Sequence, residues 1–74
     1  MTAPSLGTMA RALAGAQATL DRAREDHALA LELGGAGDPA TVAVARAIAL
    51  LEVHVARLAD RLDRTLAAAT PGAR

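Results

Sequence analysis

The sequence predicts an all-α fold, an antiparallel two-helix hairpin. Three observations carry this: a heptad-spaced apolar seam in the C-terminal half, a similar but narrower seam in the N-terminal half, and a single Gly-rich break between them. The break reads Gly34-Gly35-Ala36-Gly37-Asp38-Pro39. Gly34 or Gly35 can take the left-handed conformation that satisfies the last carbonyls of a helix. Asp38 is a good N-cap for the next helix, and Pro39 sits at the first helical position, where its missing N–H costs nothing.

The expected organisation is a flexible N-terminus over 1–7, one hairpin over 8–69 and a flexible C-terminus over 70–74. Within the hairpin a helix spans 8–33, a turn 34–38 and a second helix 39–69. Ser5 and Thr8 could each cap the first helix, and Thr70-Pro71-Gly72 stops the second.

The second helix carries Val44, Ile48, Leu51, Val55, Leu58 and Leu62 at spacings of four and three, with Thr41, Thr65 and Ala69 extending the same line. In the first helix Leu6, Leu13, Leu20 and His27 lie seven apart, with Met9, Ala16, Ala23 and Ala30 three residues after each. Alternation of a large residue with Ala lets two helices approach towards the short end of the roughly 8–10 Å range. A connection this short returns the chain antiparallel. The expected hairpin core is therefore Leu13, Leu20, Val44, Ile48, Leu51, Val55, Leu58 and Leu62.

A hairpin needs one apolar stripe per helix, so surplus apolar residues point to a partner. Val42, Leu50 and Val53 lie opposite the second seam, beside Arg46 and Arg57. Leu29 and Leu33 point away from Leu13, Leu20 and Leu31. These five are the expected partner-binding residues, placed near the turn. The remaining surface is charged: Asp21-Arg22-Ala23-Arg24-Glu25-Asp26 in the first helix, and Arg57, Asp60, Arg61, Asp63 and Arg64 in the second. Pairs at helical spacing there, such as Arg22 with Asp26, contribute only about 0.2–0.5 kcal/mol each.

Size makes outside help an expectation. Below roughly 70–80 residues one core seldom supplies more than about 3–5 kcal/mol, and this chain has 74 residues and no Cys. Without thiols there is no disulfide and no thiolate metal site, and two isolated histidines do not make a structural zinc site. A homo-oligomer, such as a dimeric four-helix bundle, or a hetero-complex with helical proteins would add the missing burial.

Composition also sorts the function classes. Eight basic and eight acidic residues balance, and there is no Phe, Trp or Tyr, so neither a field that attracts a polyanion nor a base-stacking platform is available. Nucleic acid is not an expected partner. No catalytic, cofactor-binding or metal-binding residue emerges: Glu25 and Asp26 are adjacent and face different directions, and the glycine cluster lacks the strand and GK[ST] ending of a phosphate loop. The expectation is a protein that is not an enzyme and uses no cofactor. His27 on the seam has two readings, a pH switch or metal ligand and a partly buried polar residue at the seam's edge; the second is preferred. His54 lies opposite the Thr19 region, away from His27.

The N-terminus lacks a basic region followed by an apolar run, so no secretory signal is expected. The apolar stretch 40–59 is interrupted by Arg46, Glu52, His54 and Arg57, too costly for a bilayer centre. A membrane-surface helix is a rival reading, opposed by the acids on its polar face and the absence of aromatic anchors. The use of Arg without Lys, and the lack of Asn, fit a GC-rich bacterial genome, and a bacterial cytoplasmic location is the default.

In layout the chain resembles the small helical-hairpin co-chaperones of bacterial type III secretion, which together with a larger helical-repeat chaperone hold the needle subunit soluble. The matching features are Gly34-Gly35 with Asp38-Pro39, the pair Val42 and Val44, and the step Leu50-Leu51-Glu52. Needle subunits are themselves hairpins with an Asp-Pro near the turn. The resemblance implies an export co-chaperone that binds its partners through apolar helix faces.

Overall fold

The computed structural model describes residues 5–69. They form two helices, α1 (Leu6–Gly34) and α2 (Pro39–Ala68), packed as an all-α hairpin. At about 1.5 Å per residue each helix is near 45 Å long, and the molecule is a rod measuring 54 × 27 × 17 Å. Its radius of gyration is 16.6 Å, where a compact chain of this length would have about 11 Å.

Helix α1 starts earlier than the expected residue 8. Ser5 is its N-cap, with extended backbone, and its Oγ accepts from the Thr8 N–H at 3.1 Å. Leu6 and Gly7, assigned above to a flexible terminus, are the first helical residues. Thr8 contributes through its hydroxyl, which pairs with Ser5 Oγ at 2.9 Å, rather than as the cap. Residues 1–4 and 70–74, including the Thr70-Pro71-Gly72 stop, lie outside the described residues.

The turn follows the expected chemistry in one half and departs from it in the other. Asp38 caps α2 through Oδ1, which accepts from the Ala40 N–H at 2.8 Å, and Pro39 opens the helix. At the end of α1 the Gly35 N–H donates to the Leu31 carbonyl at 3.0 Å, and Gly35 has φ 80° and ψ 174°. The left-handed helical cap expected at Gly34 or Gly35 is thus replaced by a positive-φ, extended conformation that only glycine adopts without strain. Gly34 remains helical, and a β-carbon there would overlap the Asp38 carboxylate. The two glycines serve different ends: one turns the chain, the other makes room for the cap.

The seams pair as the heptads require. Every α1 residue that is less than exposed is one of Leu6, Met9, Leu13, Ala16, Leu20, Ala23, His27 and Ala30. In α2 the covered positions are Thr41, Val44, Ile48, Leu51, Val55, Leu58, Ala59, Leu62 and Thr65. Ala69, expected to extend the seam, is exposed and lies beyond the helix as its C-cap. Arg24 Nη2 reaches Glu52 Oε2 across the pair at 3.2 Å, and Leu20 and Val55 line one shallow depression. These contacts fix an antiparallel register in which His54 falls near residue 21.

Only Leu20, at 6% exposure, and Thr41, at 2%, are buried among the described residues. The Thr41 hydroxyl has no hydrogen-bond partner. A buried hydroxyl left unpaired costs about 1–3 kcal/mol, so Thr41→Val, which keeps the shape and removes the polar atom, should raise the melting temperature. Each kcal/mol is worth roughly 4–8 °C in a domain of this size; an unchanged or lower midpoint by circular dichroism would mean that the hydroxyl is satisfied. Gly35→Ala should lower the midpoint, its backbone strain costing on the order of 1–3 kcal/mol.

Candidate interaction surface

The end of the rod near the turn carries more apolar surface than the seam covers. Among the described residues the exposed large apolar ones are Leu29, Leu31, Leu33, Val42, Leu50, Val53 and Leu66, the last in the final turn of α2 at the end away from the turn. All five expected partner-binding residues are in this set, from Val42 at 37% to Leu33 at 80%.

The structure distributes them over separate surfaces. Leu29 and Leu33, four residues apart on one face of α1, line an open groove with Asp26, Ala30, Gly34, Asp38 and Ala40. Val42 lines a second groove with His27, Leu31, Ala36, Thr41, Ala45, Arg46 and Ala49. Along α1, Asp26, Leu29 and Leu33 fall on one side of the seam and Leu31 on the other, so the grooves occupy opposite flanks of the hairpin. Leu50 and Val53 line neither groove. They lie on the outward side of α2, roughly 17 and 21 Å along it from Pro39 at 1.5 Å per residue, in the middle of the helix and not beside the turn as expected.

Leu31 needs a correction. Grouped in the sequence with the inward Leu13 and Leu20, it is 40% exposed and forms a wall of the second groove. Its position directly after the seam residue Ala30 explains this, since a step of one residue turns about 100° around a helix. Leu66, 45% exposed, follows the seam residue Thr65 by the same single step.

The charges separate the flanks further. The first groove is edged by Asp26 and Asp38, the second by Arg46 and His27. His27 is half-buried at the seam's edge, and among the described residues no group of three or more His, Cys, Asp or Glu side chains could hold a metal ion. Among the described residues the ion pairs are Arg24 with Glu52 and with Asp21, the latter at 3.8 Å, and Arg64 with Asp60 at 2.5 Å. Arg22 and Asp26, expected at helical spacing, do not pair. All the paired groups are at least half exposed, so each bridge contributes about 0–1 kcal/mol.

Both grooves are open to solvent rather than enclosed. A small-molecule site ordinarily buries 70–90% of its ligand, which such open surfaces do not do. Among the described residues, no helix is long and apolar enough to cross a membrane. No protein-family model, curated protein or solved structure matches the chain.

Proposed function

We propose that this chain is a non-enzymatic interaction subunit that receives partner helices on the flanks beside its turn. The observation that carries the reading is the pair of open grooves with Leu29 and Leu33 on one side and Leu31 and Val42 on the other. These leucines stand beside a seam that is already filled and keep 40–80% of their surface exposed. Exposed apolar residues gathered in grooves and rimmed by polar ones mark association surfaces.

The layout shared with the type III secretion co-chaperones gives the reading its most specific form: a bacterial cytoplasmic helper that keeps an export partner soluble through helix-to-helix contact. The Gly34-Gly35 and Asp38-Pro39 steps behind that resemblance end α1 and cap α2 here.

A photo-crosslinking amino acid at Leu33, compared with one at Arg61 in the open half of the rod, tests the proposal in the full chain in its own cells. Crosslinks to protein from position 33 and few from position 61 are expected. Equal labelling from both positions, or none from position 33, would overturn it.

A further inference from the structure

We infer that the two flanks at the turn are the two halves of one self-contact, the Leu29–Leu33 flank of one copy seating in the Leu31–Val42 groove of the next. The inference rests on the turn end being an interaction surface and adds what covers it.

Shape is the first ground. Leu29 and Leu33, four residues apart, make an i,i+4 ridge of two leucines along the wall of the first groove, and the opposite groove contains Ala36, Ala45 and Ala49 between Leu31 and Val42. Large side chains on one helix pack into the space left by small ones on another.

Charge is the second. The ridge flank carries Asp26 and Asp38, the groove flank Arg46. Asp26 and Arg46 are exposed, and neither belongs to an ion pair within the described residues. Ridge against groove brings opposite charges together, whereas ridge against ridge would place Asp26 and Asp38 near their own copies. Complementary charge of this kind fixes orientation and rejects the wrong pairing.

Because ridge and groove lie on opposite flanks of the same copy, each contact leaves one free ridge and one free groove. Such a head-to-tail contact continues into a ring or an open chain instead of stopping at a twofold pair.

Sedimentation velocity on the full chain over a hundredfold concentration range should show mass growing beyond two copies. Leu33→Glu blocks the ridge and Val42→Glu the groove, both at exposed positions; each variant alone should be monomeric, and an equimolar mixture should form a dimer and nothing larger. Asp26→Arg and Arg46→Asp should each weaken association at least tenfold, and their combination should recover most of the loss, which keeps the test alive if a glutamate variant unfolds. A wild-type chain that stays monomeric, a species that stops at two copies, or a mixture that fails to pair while the wild type associates would overturn the inference. A monomer that nevertheless crosslinks in cells through position 33 would overturn the self-contact and leave the interaction reading standing.

Discussion

Two helices share one interface, and that constraint governs the whole molecule. Each helix can cover a single stripe, so the chain commits its heptad positions to the seam and leaves every other apolar residue facing water. The α1 stripe alternates large residues with alanine, and the α2 stripe of Val44, Ile48, Leu51, Val55, Leu58 and Leu62 packs along it. With no third layer, even these seam residues remain partly open, and Leu20 alone among the apolar ones is buried. Helix formation in such a rod depends on tertiary contact more than on propensity. The turn must therefore hold the register: Gly35 redirects the backbone, Gly34 admits the Asp38 carboxylate, and Asp38 with Pro39 starts α2.

Polar interactions reinforce this arrangement without producing it. Arg24 and Glu52 tie the helices midway along the rod, but from half-exposed positions where solvent screens them. The charged residues belong chiefly to the middle of α1 and the last turns of α2, so that part of the rod is solvated outside. Near the turn the balance reverses. There a half-buried His27 sits beside exposed leucines, an apolar surface that gains by being covered.

Much of this was legible in the sequence, because heptad spacing and turn chemistry are local properties. The seam from Val44 to Leu62, the Leu13 and Leu20 line, the Asp38 cap and the exposure of Leu29, Leu33, Val42, Leu50 and Val53 all follow from spacing alone. The start of α1 did not, since Ser5 and Thr8 are both competent caps and only backbone geometry separates them. Leu31 was misplaced because a residue one step off the seam sits on its shoulder, and the interhelix register decides whether it is covered. The division of the surplus residues into two flanks was beyond reach for the same reason. A sequence defines each helix's stripe, but which sides of the two stripes meet depends on the direction in which the hairpin closes.

The seam alone leaves the turn end under-covered, and the inferred self-contact would cover it with a second copy. Its most direct test is the thermal midpoint of the pure chain as a function of its own concentration, followed by circular dichroism. Association with the folded form stabilises it by mass action, so the midpoint should climb steadily over a hundredfold rise in concentration. A fully helical chain whose midpoint is the same at every concentration would contradict the account.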